Sequence, residues 1–335
     1  MDHRPFGHTD LTISPLALGT ARFGWRTSAA EAAAILDLYR SQGGNLVETS
    51  AVWCRDPENA VLFAAPGEHL VGRWLAQDPE RRRGLVLAGR VFLGARLCAA
   101  ADFAVRVRAN CEASLQRLNT EYFDLLQIEW REDFGPIERL LEALRPLVRQ
   151  SRVLRLGAAG FPAWRVATAN AVAQQATLPV LQTVQAAFSL LDPRPFEREY
   201  AELCVEQRLA FLARAPLAAS TLAQHVDAPP RDLRWAALLP STHQLSVRER
   251  LAWVAQRRGA TLAQTELAWV LSHPAVATAV VHATSAGQLA EWMQGATGHL
   301  SREEQMLLRH PWTPAPTGPS SFAPAPEHVL ATAPG

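Results

Sequence analysis

Nine residues with chemistry to offer stand at or just beyond the ends of short apolar runs: Arg22, Glu48, Trp53, Arg90, Glu129, Trp130, Arg131, Arg214 and His282. Arginines outnumber glutamates in this set, and the surplus positive charge suits a carboxylate, a phosphate or another small anion. Trp53 and Trp130 can wall an apolar or aromatic body. An arginine flanked by two carboxylates makes a mixed environment, in which a desolvated Glu129 could act as general acid or base near neutral pH. The same charges could instead only neutralise one another at strand ends, because losing one partner of a buried pair is costly. Cys54, beside Trp53, could be a nucleophile, although a lone thiol near charge is more often inert.

A regular alternation of elements must hold these residues. Buried-type runs bounded by turn residues predict strands over Leu16–Gly19, Asn45–Thr49, Leu85–Arg90, Phe123–Glu129, Val153–Ala158, Leu181–Ala187, Ala210–Ala213 and Thr278–His282. Between them fall helical stretches: Ser28–Ser41, Ala101–Leu118, Ile137–Gln150, Pro162–Gln175, Pro195–Gln207, Val247–Arg258, Leu262–Ser272 and Ser285–Gly295. The first opens on a predicted capping box, Ser28 with Glu31. This order predicts a parallel (β/α)8 barrel, with all the candidate residues at its C-terminal mouth. An open doubly wound sheet is the alternative, but "LGTARFGW" lacks the dinucleotide fingerprint that should follow its first strand.

The opening "RPFGHTDLTIS" reads as a hairpin turning at "GHTD" and closing the barrel bottom. Residues 1–312 are read as one barrel domain, and the Pro/Ala-rich 313–335 as a disordered tail. The segment "CRDPENAVLFAAPGEHLVGRW" reads as a long loop over the mouth, a lid, a partner contact or a self-packed excursion. With 48% apolar and 19% charged residues and a net charge of +1, nothing gathers nucleic acid or an anionic membrane. No run is long enough to span a bilayer, and cytoplasm is the expected compartment. Every one of the 33 basic residues is Arg, so lysine chemistry is absent.

The stretches "LALGTARFGW", "ASLQRLNTEYFDLLQIEW", "PIERLLEALRPLVRQSRVLRLGAAGF", "FSLLDPR", "APLAASTL" and "ATLAQTELAWVLSHPAV" resemble the aldo-keto reductases from about Arg4 to Leu308. The resemblance implies a barrel that binds NADPH at its mouth and reduces carbonyls with Asp, Tyr, Lys and His. Here the matching positions hold Glu48, Trp53, Arg90 and Glu129. Glu48 and Arg90 keep the charges of the implied pair. Trp53 does not keep the function, since an indole N–H donates a hydrogen bond but is no acid near neutrality. Of the three tyrosines, Tyr39, Tyr122 and Tyr200, none is predicted to reach the mouth. A Glu at the position of Glu129 occurs in the branch of the family that reduces steroid double bonds, where the Tyr is kept.

The implied cofactor contacts are thinned as well. Ala159 and Gly160 stand where Ser-Asn is usual, and Arg214 with Ala215 where an aromatic and Ser are usual. Gln185, Gln288 and Glu291 match, while Thr284 replaces the Arg that takes the 2′-phosphate. The helix N-terminus at Ser285 could still receive a phosphate. The resulting expectation is a barrel that binds a small, anionic molecule at its mouth without a nicotinamide cofactor. It would perform non-redox acid–base chemistry: cyclisation, dehydration or isomerisation. The alternatives are an NADP- or NAD-dependent oxidoreductase using Glu129 in ene reduction, and a non-catalytic pseudoenzyme that binds a protein partner.

Overall fold

Short strands of Val, Leu, Ile and Ala with polar residues at one end are suited to a sheet buried on both faces. In the computed structural model such strands close into a ring. It describes residues 1–49, 52–55, 62–91, 102–129, 136–220 and 242–309, and at 52–55, 62–64 and 242–243 the chain path alone. Strands β1 (Arg4–Pro5) and β2 (Thr12–Ile13) form an antiparallel hairpin. The barrel strands are β3 (Leu16–Gly19), β4 (Leu46–Glu48), β7 (Val86–Val91), β8 (Leu125–Glu129), β9 (Leu156–Ala159), β10 (Leu181–Ala187), β11 (Ala210–Arg214) and β12 (Val276–Val281). They are all parallel and close in the order β10-β11-β12-β3-β4-β7-β8-β9. The predicted parallel (β/α)8 barrel is therefore the fold.

Helices α1 (Ala29–Ser41), α2 (Pro66–Ala76), α3 (Phe103–Arg117), α4 (Ile137–Arg149), α5 (Ala163–Gln175), α6 (Ala201–Glu206), α7 (Thr242–Arg258), α8 (Leu262–Leu271), α9 (Ala286–Ala296) and α10 (Arg302–Arg309) surround it among the described residues. A π-turn at Phe196–Tyr200 leads into α6. Helix α4 shows how the outer layer is fixed: Ile137, Leu140, Leu141, Leu144 and Leu147 recur at helical spacing, and all are buried. Each such side chain contributes roughly 1.5–3 kcal/mol when removed from water.

Side-chain alternation along the strands sorts the barrel interior by height. The inward series are Leu46 then Glu48, Val86 then Ala88 then Arg90, Leu125 then Gln127 then Glu129, and Ala210 then Leu212 then Arg214. The lower, apolar members pack into one cluster with Phe6 and Ile13 of the N-terminal hairpin, which are both fully buried. The hairpin thus plugs the bottom, as read from the sequence. Its turn lies close: at Gly7, with φ +62°, a Cβ would stand 2.7 Å from Ala210 N and Arg208 O.

Two expectations are corrected. The segment after Trp53 is not simply a loop, for β5 (Val52–Arg55) and β6 (Leu62–Ala64) pair antiparallel in a second hairpin. The capping box at α1 is half formed. Ser28 Oγ accepts from Glu31 N at 3.2 Å, but the Glu31 carboxylate leaves its own helix and accepts from Ala286 N at 2.6 Å. The exposed N-terminus of α9 competes for that carboxylate and wins it. The expected tail, 313–335, lies outside the described residues.

Candidate functional site

The inward alternation brings Glu48, Arg90, Gln127, Glu129, Gln185 and Arg214 together at the C-terminal end of the barrel. Register explains how: Arg90 pairs with Gln127, Glu48 with Ala88, Glu129 with Ala159, and Ala159 with Gln185. Arg90 is the hub. Its Nη2 donates to Glu48 Oε1 at 3.0 Å and to Gln185 Oε1, and its Nη1 donates to Glu129 Oε2 at 3.1 Å. One planar guanidinium therefore joins two carboxylates from strands on either side of it, a task suited to its fork of donors.

The two carboxylates are not alike. Glu48 is buried, and its Oε2 also accepts from Gln127 Nε2 at 3.3 Å and from Gln185 Nε2. Both its oxygens are spent. Glu129 is more open, with 23% of its side chain exposed against 7% for Glu48. Among the described residues its Oε1 faces only Arg214 Nη1, at 3.7 Å, beyond ordinary hydrogen-bond reach. Among the described residues, this is the carboxylate oxygen of the cluster that accepts no hydrogen bond of ordinary length.

His282 completes the ring from the other side. Its ring lies over Gly19, where a Cβ would meet His282 Cε1 at 2.2 Å. A side chain at position 19 would expel the imidazole. Burial lowers the His282 pKa, opposed by the Glu48 charge and reinforced by Arg22 and Arg90, so the ring is neutral near pH 7. Arg22 sits half-buried on the turn after β3, which is tied to β4 by Thr20 N donating to Glu48 O at 2.9 Å. The strand at Trp53 is described but its side chain is not, and Trp130 and Arg131 lie outside the described residues.

The tyrosines stand away from this cluster. Tyr39 is buried beside the starts of β3 and β4, where its hydroxyl donates to Leu16 O at 2.6 Å, and burial pushes its pKa up to about 12. Tyr200 donates to Phe161 O at 2.7 Å, and Tyr122 lies under the Arg82 guanidinium before β8. The described cysteines, Cys111 and Cys204, are buried, and burial raises both thiols to about 12. No group of His, Cys, Asp and Glu fit to hold a metal ion occurs among the described residues.

A family model described as the Aldo/keto reductase family matches residues 15–308. This chain belongs to the aldo/keto reductase family. Relatives include a Bacillus subtilis (strain 168) protein named uncharacterized oxidoreductase YrpG, 28% identical over 96% of this chain and all of its own length. Protein tas of Escherichia coli (strain K12) is 29% identical over 92% of this chain and 96% of its own. Norsolorinic acid reductase B of Aspergillus parasiticus is 29% identical over 78% of this chain and 71% of its own. These names give no support to the expectation of a barrel without a nicotinamide cofactor. No helix among the described residues is long and apolar enough to cross a membrane.

Within this family barrel, the side chains of Gln185 and Gln288, two of the positions matched to cofactor contacts, are engaged within the protein. The Gln185 amide is held between Arg90 and Glu48. Gln288 Oε1 accepts from Thr284 N at 2.9 Å, closing the first turn of its own helix. At the start of α9, Ala286 N is taken by the Glu31 carboxylate and Gln288 N by Ser285 Oγ at 3.1 Å. The phosphate expected there would meet a carboxylate already in place. Glu291 is half-buried on α9, where its carbonyl accepts from Gln264 Nε2. Sequence reasoning missed the roles of Gln127 and Glu31. Gln127 had a signal, since it stands two residues before Glu129 and so on the same strand face.

Proposed function

We propose that this aldo/keto reductase barrel moves protons rather than hydride at its mouth, with Glu129 as the base, on a small anionic molecule. The observation that carries the reading is the division of labour around Arg90: Glu48 is locked by hydrogen bonds, while Glu129 keeps one oxygen toward the opening. Two further features support it. The chain offers Trp53 and no lysine where the family's proton relay stands. The Gln185 amide and the α9 N-terminus, two groups a nicotinamide dinucleotide would use, are engaged within the protein, which weighs against that cofactor.

The chemistry balances without a redox partner. Glu129 Oε1 removes a proton from carbon next to a carbonyl, and the electron pair moves onto the carbonyl oxygen, facing Arg214. The carboxyl then returns the proton to a different carbon, an isomerisation, or to a departing hydroxyl that leaves as water, a dehydration. A panel of 2-oxo acids incubated in D2O and followed by proton NMR tests this. Exchange at carbon is expected with the natural chain and a loss of about 100-fold or more with Glu129→Gln. Exchange that survives Glu129→Gln would refute the reading.

A second reading, an NAD(P)H-dependent oxidoreductase, is favoured by the names of the relatives, oxidoreductase and reductase. Direct titration with NADPH and NADH by tryptophan fluorescence separates the two. Saturation at micromolar cofactor establishes the second reading, and no binding at millimolar cofactor removes it.

A further inference from the structure

Charge accounting at the mouth singles out one arginine. Arg90 is bonded to Glu48, Glu129 and Gln185, and Arg214 faces Glu129. Arg22 is half-buried, yet its guanidinium has neither carboxylate nor hydrogen-bond partner among the described residues. Its charged neighbours there are all accounted for. Arg26, four residues on, is exposed and lies over the Trp25 ring at 4.7 Å. His282 feels the Arg22 charge, together with those of Glu48 and Arg90. Burial and the Arg26 charge both work against the Arg22 cation, lowering its pKa. Half-buried guanidinium groups ordinarily find an anion, and this one has none among the described residues.

The turn that carries Arg22 is rigid. Its carbonyl accepts from Trp25 N at 3.3 Å, Arg26 N at 2.9 Å and Thr27 N at 3.2 Å. Phe23, fully buried, and Thr27, nearly so, anchor the turn on both sides. The backbone at Arg22 is therefore fixed, so a ligand that binds there does not have to order the turn.

We infer that Arg22 is the seat for a carboxylate on the molecule that this mouth takes. The inference rests on the proposed reading that the mouth binds a small anion, and it names the contact. Among the described residues at this end of the barrel, Arg90 and Arg214 face two carboxylates, Glu48 and Glu129, and Arg22 on the turn after β3 is a third guanidinium group. One positive charge is left over. A single carboxylate neutralises it, whereas a phosphate dianion would leave a net negative charge in a partly desolvated site. Bidentate pairing with a guanidinium is the geometry that a carboxylate offers.

The test is binding, not turnover, so that it stands apart from the role of Glu129. The full chain is titrated with benzoate, benzamide and inorganic phosphate, followed by tryptophan fluorescence and calorimetry. Benzoate is expected to bind saturably, at least about tenfold more tightly than neutral benzamide or phosphate. Arg22→Gln should lower the benzoate affinity about tenfold or more, Arg22→Lys should restore part of it, and Arg26→Gln should change it less than about threefold. The melting temperature of Arg22→Gln should stay level or rise, because an unpaired half-buried cation is removed. The inference fails if no anion binds saturably, if Arg22→Gln binds benzoate as the natural chain does, if phosphate binds more tightly than benzoate, or if Arg22→Gln is strongly destabilised. Benzoate binding that depends on Arg22, without proton exchange on any 2-oxo acid, would leave the carboxylate seat standing and sink the chemistry assigned to Glu129.

Discussion

At the scale of single residues, Arg90 neutralises charge that the barrel could not otherwise hold. Its side chain and that of Glu48 are 10% and 7% exposed, so either one alone would be a stranded charge. Arg90→Gln should cost about 3 kcal/mol or more of stability in urea unfolding, because Glu48 and Glu129 then face each other with no cation between them. Adding Glu48→Gln should recover most of that loss. The double-mutant cycle would then give a coupling of about 2 kcal/mol, and additive losses would show that Arg90 matters through packing instead. The charged half of this site was legible in the sequence, since Glu48, Arg90 and Glu129 end apolar runs. What could not be read was which partners consume which oxygen. Gln185, read as a cofactor contact, also bridges Arg90 and Glu48. A glutamine's role depends on which group lies opposite in the closed ring, and that is set by strand register rather than by local sequence.

At the scale of elements, helix α8 carries a carboxylate that belongs to another segment. Glu266 is fully buried and accepts from Ala219 N at 2.9 Å and Ser220 N at 2.8 Å, just past β11. Burial raises its pKa to about 7, against 4.5 for an unburied Glu. Between those values the folded chain holds a proton that the unfolded chain has lost. Stability must therefore fall as pH rises from about 4.5 to about 7 and level off above, by up to about 3 kcal/mol from this group. His273, whose pKa is lowered by burial, works with the opposite sign, so the comparison has to be with Glu266→Gln rather than with a bare pH curve. That variant should lose the Glu266 slope and also about 1–3 kcal/mol at pH 5, since its amide N–H2 faces a backbone donor. An unchanged slope in chemical unfolding between pH 5 and 8 would exclude the assignment. The strands and helices themselves were readable because a buried parallel sheet leaves unbroken apolar runs between amphipathic helices. The β5–β6 hairpin was not, since "WCRDPENAVLF" has neither an alternating pattern nor a two-residue turn signal. Glu31 shows the same limit: its capping signature was real, but a second helix N-terminus nearby offered its carboxylate a better-placed donor.

At the scale of the whole molecule, the barrel divides its labour along its axis. The lower interior is apolar and sealed by Phe6 and Ile13, and the upper interior is charged. Cohesion below sustains a costly polar cluster above, a division that parallel barrels permit because strand ends at the two faces are independent in sequence. The separation is testable. Phe6→Ala removes a fully buried ring from the plug and should cost about 3–5 kcal/mol, read as an earlier urea midpoint. Gly7→Ala should be comparably harmful for a different reason, since it places a Cβ against the backbone of Arg208 and Ala210 at a positive φ. At pH and temperature where both variants remain folded, benzoate affinity at the mouth should stay within about twofold of the natural chain, because no contact of Arg22 runs through the hairpin. Gly19→Ala should do the reverse. It sits at the mouth, forces the His282 ring aside, and is expected to weaken benzoate binding more than about fivefold for a modest stability cost of about 1–3 kcal/mol. If Phe6→Ala weakened the mouth as much as Gly19→Ala does, the two ends of the barrel would be one cooperative unit, and the charged cluster could not be treated as a site apart from the plug.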